Sequence, residues 1–208
     1  MARKRTPPRR SGFLNIDKPP GWTSHDVVAR VRRVVGERQV GHAGTLDPAA
    51  SGVLPVAIGH ATKVLPFIED ASKTYVAVVR FGVATDSGDR DGRLRSSNGH
   101  GQLELKEIEQ ALDAFRGEIV QVPPMHSAIK VEGKKLYDLA RKGVVVDVPR
   151  REVTIHAIEV VGWAPPDATI RVECSAGTYI RSLARDLGET VHTCAMLANL
   201  IRTRSGKF

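Results

Sequence analysis

Gly41-His42-Ala43-Gly44-Thr45-Leu46-Asp47-Pro48-Ala49-Ala50-Ser51-Gly52 runs straight into the apolar stretch Val53 to Gly59. Three glycines and a proline in these twelve residues rule out a helix or strand along the whole length, so the stretch is a shaped loop. The residue before a proline is pushed toward extended geometry, which stiffens the backbone carrying the Asp47 carboxylate. On these residues alone, Asp47 is either a single presented acid or the cap of a glycine-rich connection. Val53 to Gly59 reads as a buried strand despite Pro55, and it ties the loop to the core.

The surrounding chain has 208 residues, enough for one domain with a sizeable core. Hydrophobic residues make up 41% and charged residues 26%, and no apolar run is long enough to cross a bilayer. The N-terminus lacks the apolar centre of a signal peptide, so a cytoplasmic protein is expected. Of the net charge of +8, Arg3, Lys4, Arg5, Arg9 and Arg10 supply five, leaving +3 for the rest. Residues 1–11 are therefore expected to form a disordered basic tail, either a nucleic-acid arm or a solubilising end. Cys174 and Cys194 are too few for a disulfide framework, and with His192 they match no zinc spacing.

Upstream of the loop, Phe13 to Ile16 reads as a strand closed by Asp17-Lys18-Pro19-Pro20-Gly21. Thr23 or Ser24 can cap a helix in which Val27, Val28, Val31, Val34 and Val35 face inward until Gly36 stops it. Downstream, Ala61 to Ala71 predicts a short helix. Lys73 to Val83 predicts a strand with Tyr75, Ala77, Val79 and Phe81 on one face. Thr85 to Gly92 is an acidic turn that fails as a calcium loop, because neither its first nor its twelfth position carries an acid. Leu105 to Phe115 predicts an amphipathic helix ended by Gly117, and Glu118 to Val122 a strand. Lys130 to Arg151 carries seven basic residues against three acids, with a helix expected near Leu136 to Arg141. Val153 to Trp163 and Ala168 to Ser175 predict a hairpin. Gly177-Thr178 opens a helix on which Arg181 sits beside the buried stripe, and Ala195 to Ile201 is a last apolar element. This order of elements favours an α+β fold on a mixed, mostly antiparallel sheet.

There is no Gly-x-x-x-x-Gly-Lys-Ser/Thr loop, no Gly-x-Ser-x-Gly elbow and no His-x-x-x-His pair, so no cofactor is implied. What remains is the loop carboxylate Asp47, with His42, Tyr75 and Arg181 as candidate partners. Each alone also reads as a turn histidine, a core tyrosine or a surface ion pair.

Taken together, the motifs resemble the bacterial tRNA pseudouridine synthases that modify the uridine at tRNA position 55. The matching stretches are Asp17 to Ser24, Gly41 to Gly52, Lys73-Thr74-Tyr75, Pro123-Pro124 with Ser127 to Lys130, Tyr137 to Gly143, Gly177 to Arg181, and Leu200 to Phe208. The resemblance implies a pseudouridine synthase fold over residues 12–208, a central sheet crossed by an active-site cleft, with an RNA-binding insertion at about 123–151. It implies isomerisation of a flipped uridine without ATP, metal or redox cofactor. Asp47 is then the essential aspartate, by covalent attack on the sugar or by removal of a ribose proton. Arg181 is its fixed cation, Tyr75 stacks on the base, and Tyr179 and Leu200 line the pocket. His42 fills the vacancy left by the extruded base. Lys18 either contacts or merely shapes the site. The implied partner is the T-arm of tRNA, with no membrane and no obligate protein partner, and the protein is expected to act as a monomer. A tRNA-folding chaperone role is a second expectation, and hydrolysis of a nucleoside a third reading. His126 stands where family members commonly carry an aromatic such as tyrosine. The sequence ends at Phe208, where bacterial relatives usually continue into a small C-terminal RNA-binding domain, so weaker tRNA binding is expected.

Overall fold

A computed structural model describes residues 7–99, 101–127, 130–131, 134–136 and 146–208. In chain order its elements are β1 (Gly12–Lys18), α1 (Ser24–Val35), β2 (Val40–His42), β3 (Ser51–Ile58), a 3-10 turn (Gly59–Val64) and α2 (Leu65–Glu69). Then come β4 (Lys73–Phe81), β5 (Val83–Thr85), β6 (Leu94–Ser97), α3 (Leu105–Leu112), a 3-10 turn (Asp113–Phe115) and β7 (Gly117–Gln121). The chain continues through β8 (Lys130–Val131), β9 (Lys134–Lys135), β10 (Arg151–Ala164), β11 (Asp167–Cys174), α4 (Ile180–Thr190) and β12 (Ala195–Ser205). It divides into two compact units, residues 1–73 with 201–208, and residues 74–200. Among the described residues, no helix is long and apolar enough to cross a membrane.

In the first unit β3 is the spine. Its run from Leu54 to Ile58 is buried throughout, as the unbroken apolar sequence requires of a strand covered on both faces. β1 lies antiparallel along one edge, from Gly12 opposite Ile58 to Lys18 opposite Gly52. The other edge is shared: β2 pairs antiparallel with residues 56–58, and β12 pairs parallel with Ser51 and Gly52. Pro55 is tolerated because its carbonyl still accepts the Ala43 amide at 2.9 Å.

α1 starts and stops where its sequence signals lie. Thr23 and Asp26 form a reciprocal capping box, and Gly36 closes the helix at φ 69°. Val27, Val28 and Val31 are buried, but Val34 is 68% exposed although it shares the angular position of Val27. The apolar stripe thus runs past the surface that covers it. The expected helix at Ala61 to Ala71 is a 3-10 turn as far as Val64, followed by the five-residue α2.

In the second unit the strand order is β12, β4, β11, β10, β7. Every second residue of β4 from Lys73 is buried, as its period-two pattern predicts. β10 and β11 form the long hairpin, and β7 pairs antiparallel with β10. The parallel pairing of β12 with β3 beside the antiparallel pairings of β1, β2, β7, β10 and β11, with helices alongside, is the mixed α+β arrangement expected. Boundaries that differ from the sequence reading include the end of α3 at Leu112, the start of β7 at Gly117, the start of α4 at Ile180 rather than Gly177, and the end of β12 at Ser205 rather than Ile201. Of the helix expected near Leu136 to Arg141, only Leu136 lies within the described residues. Of the tail, residues 1–6 lie outside them, while the Arg9 and Arg10 amides donate to the Glu37 carboxylate at 2.7 and 2.9 Å.

Gly52 has φ +104°, and a Cβ there would overlap the carbonyl oxygen of Arg202. Gly52→Ala combines a left-handed backbone with a clash against main chain, and should lower the unfolding free energy by about 3 kcal/mol in urea titrations.

Candidate active site

The first unit positions Asp47 by fixing the backbone on either side of it. Upstream, Ser24 at the start of α1 makes a two-way bond with Leu46: its hydroxyl donates to the carbonyl at 3.2 Å and accepts from the amide at 2.9 Å. Ser24 was a candidate cap, but Thr23 takes that role and leaves Ser24 to hold the loop. Downstream, the Pro48 carbonyl accepts from the Gly21 amide at 2.8 Å and from the Lys18 ammonium at 3.2 Å. The Asp47 carbonyl also accepts from the Ala50 amide at 3.1 Å, closing a turn.

Lys18 is fully buried and spends its other two donors on the carbonyls of Pro19, at 3.0 Å, and Trp22, at 2.6 Å. Its ammonium therefore staples the Asp17 to Trp22 turn to the Asp47 loop. Burial pulls its pKa below the ordinary 10.5, the charge of Asp47 opposes that pull, and Arg202 adds to it.

Arg202, on β12, closes the frame. Its guanidinium donates to the Val53 carbonyl at 2.7 Å and to the Gly44 carbonyl at 3.1 Å, one on each side of Asp47. It is 1% exposed. A planar fork of donors can reach two carbonyls at once, which a lysine ammonium in the same place could not do in that geometry.

His42 ends β2, opposite Val56, with its ring edge-on to His25 at 5.5 Å. Burial first, then the charges of His25 and Arg202, lower its pKa from 6.5 to about 4, so the ring is neutral at physiological pH. Its Nδ1 is buried without a hydrogen-bond partner among the described residues.

The second unit holds Arg181, Tyr75, Tyr179 and Leu200. Arg181 was expected beside the buried stripe of its helix, yet it is 5% exposed. α4 starts at Ile180 after the cap residue Tyr179, and Ile180, Arg181, Ser182 and Leu183 are all buried, so burial in this first turn is not confined to the apolar stripe. That start is pinned by Gln121, whose amide pairs both ways with the Tyr179 backbone at 3.0 and 3.3 Å. The guanidinium of Arg181 donates to the carbonyls of Ser87 and His126, both at 2.9 Å, and lies 3.7 Å from the Asp89 carboxylate. The His126 contact is through main chain, so it does not depend on which side chain stands there.

Asp89 is itself fixed. Its carboxylate accepts from the Ser87 hydroxyl at 2.5 Å and from the Asp91 amide at 3.1 Å, and its backbone bridges in parallel to Leu197 of β12. The acidic turn that fails as a calcium loop is thus a seat for a cation of the protein's own. Tyr75 and Leu200 are both 8% exposed, Tyr75 on the buried face of β4 and Leu200 on β12.

Asp47 and His42 therefore lie in the first unit, with Lys18, Ser24 and Arg202 as the frame, and the other four candidates lie in the second. Arg202, Asp89 and Gln121 did not emerge from the sequence as functional. Arg202 falls inside the closing Leu200 to Phe208 motif, and Asp89 follows the strand that carries Tyr75, so position along the chain was the available signal.

A family model described as TruB family pseudouridylate synthase (N terminal domain) matches residues 32–180. A protein of Gloeobacter violaceus named tRNA pseudouridine synthase B is 55% identical over 201 residues, 95% of this chain and 68% of that protein. One of the same name from Trichormus variabilis is 52% identical over 200 residues, with the same shares of each chain. Among solved structures, a chain in the crystal structure of a Cbf5-Nop10-Gar1 complex is 37% identical with a TM-score of 0.73, over 94% of this chain and 49% of that one. A chain in the structure of an H/ACA RNP bound to a substrate RNA containing 2'-deoxyuridine is 34% identical with a TM-score of 0.70, over 94% and 47%. The chain spans about two thirds of the first two proteins and about half of the solved chains.

The histidine buried neutral sets a pH dependence. The unfolded chain takes up a proton at His42 below about 6.5, whereas the folded chain does so only near pH 4. Stability is therefore full above that window and falls as pH drops through it. His42→Phe should flatten this part of the acid profile, read as urea midpoints between pH 7 and pH 4.

Proposed function

The chain belongs to the TruB family of pseudouridylate synthases, and from that membership we propose that it converts uridine 55 in the T-loop of tRNA to pseudouridine, with Asp47 as the reacting carboxylate. The observation that carries this reading is the frame around Asp47. Ser24, Lys18 and Arg202 spend buried polar groups on the main chain of a single loop, an arrangement suited to presenting one carboxylate at a fixed place.

The reaction is an isomerisation. The bond from ribose C1′ to uracil N1 breaks, the base turns, C1′ bonds to C5, the C5 proton leaves and N1 takes up a proton, so the product is an isomer of the substrate. An ionised aspartate can attack C1′ and be displaced later, or take a ribose proton so that the base departs by elimination. In either route the carboxylate must stay charged while water is excluded, and Arg181 is proposed as the cation that keeps it so. Asp89 and the carbonyls of Ser87 and His126 hold that guanidinium ready before substrate arrives. Tyr75 is assigned to the face of the target base, and Tyr179 and Leu200 to the pocket wall. His42, neutral and with an unpartnered Nδ1, suits a flat ring that occupies the place of the extruded uridine.

Unmodified T-arm RNA carrying tritium at uracil C5 should release its label to water, and Asp47→Asn should stop the release while RNA binding persists. Label release at the wild-type rate by that variant would sink the assignment. Asp89→Asn removes the carboxylate 3.7 Å from Arg181, and should lower kcat by about 10- to 100-fold through misplacement of the guanidinium.

A further inference from the structure

Outside the Asp47 frame, the first unit carries a groove of about 610 Å³ lined by Gly21, Trp22, Asp26, Ala29, Arg30 and Arg33. Its volume is within the roughly 300–1,000 Å³ usual for small-molecule sites and admits one nucleotide. The helical lining residues recur at 26, 29, 30 and 33, the spacing of a single helix face, opposite the buried Val27, Val28 and Val31. Ala29 and Gly21 keep its floor low, and the larger side chains stand around them.

An arginine face alone would be a solvated helix surface. Two features set this one apart. Arg30 and Arg33 form no ion pair among the described residues, so none of these offsets their charge by direct contact. Asp26, the single acid in the groove, is occupied by the cap, accepting from the Thr23 amide at 2.8 Å and the Thr23 hydroxyl at 2.6 Å. Beside them Trp22 is 41% exposed, and its carbonyl is fixed by the buried Lys18 at 2.6 Å. An indole presented next to two uncommitted guanidinium groups matches the chemistry of an RNA strand, whose bases stack on aromatic faces and whose phosphates pair with arginine.

We propose that this groove is an RNA-binding subsite, in which Arg30 and Arg33 neutralise two backbone phosphates and Trp22 stacks on an unpaired base of the same strand. Lys18 bonds both Trp22 and Pro48, so the subsite and the Asp47 loop share one buried anchor. The proposal rests on the reading that the substrate is RNA, and it is tested by binding rather than turnover.

The chain has two tryptophans, and Trp163 packs edge-on to Phe81 at 6.1 Å, so Trp163→Phe leaves Trp22 as the only indole. Titration of that variant with unmodified T-arm RNA should quench the Trp22 emission. If Trp163→Phe does not fold, the difference between wild type and Trp22→Phe gives the same signal. The exposed double variant Arg30→Gln/Arg33→Gln should weaken RNA binding about tenfold near 0.1 M salt and reduce the slope of log affinity against log salt by about 2. Arg30→Lys/Arg33→Lys should keep most of the slope. An unchanged slope in the glutamine variant, a slope change without Trp22 quenching, or equal quenching by heparin would each overturn the proposal. If label release fails while RNA still quenches Trp22, the catalytic reading falls and the subsite stands. If release proceeds and Trp22 is silent, the reverse holds.

Discussion

A guanidinium buried among main-chain carbonyls governs the first unit. Arg202 bonds to Val53 and Gly44, one on each side of Asp47, so the loop cannot open without leaving a buried charge short of partners. The surroundings follow from that. Gly52 must lack a side chain because the Arg202 backbone lies against it. Lys18 is constrained by the same loop, since one of its three donors goes to Pro48 and its charge is steadied by Asp47. Glycine and proline in the loop thus serve two ends: they shape the turn, and they expose carbonyls to cations that approach from other elements.

The second unit repeats the device with different parts. Arg181 also donates to two carbonyls, from Ser87 and His126, but here a carboxylate stands close as well, at 3.7 Å. Hydrogen bonds to carbonyls set the plane of a guanidinium, while an acid offsets its charge. Gln121 adds a third restraint by fixing the first turn of the helix through Tyr179. An arginine held this way is arranged in advance, which lowers what must be reorganised when charge develops beside it.

Local chemistry made much of this legible in the sequence. The capping box at Thr23 and Asp26, the stop at Gly36 and the alternation of β4 are written within a few residues of where they act. The loop around Asp47 was legible for the same reason. Arg181 was placed too near the surface because spacing along its helix does not reveal the Ser87 and His126 main chain that covers it. Val34 erred in the other direction, since spacing reveals a face but not how far the covering surface extends. Arg202 and Asp89 were illegible as functional groups because their partners lie far away in the chain, and no periodicity encodes them. Gly52 looked like one more loop glycine, and its need for a missing Cβ is visible only once β12 is beside it.

The separation between Arg202 and the carbonyls it holds is 149 residues for Val53 and 158 for Gly44. A ribosome delivers those residues in order, so the loop exists without its clasp while the intervening residues are made. β1, α1, β2 and β3 can assemble as they emerge, but the strand that seals Ser51 and Gly52 is made only after the whole second unit. A chain interrupted before Arg202 would carry Asp47 without the guanidinium that fixes its loop.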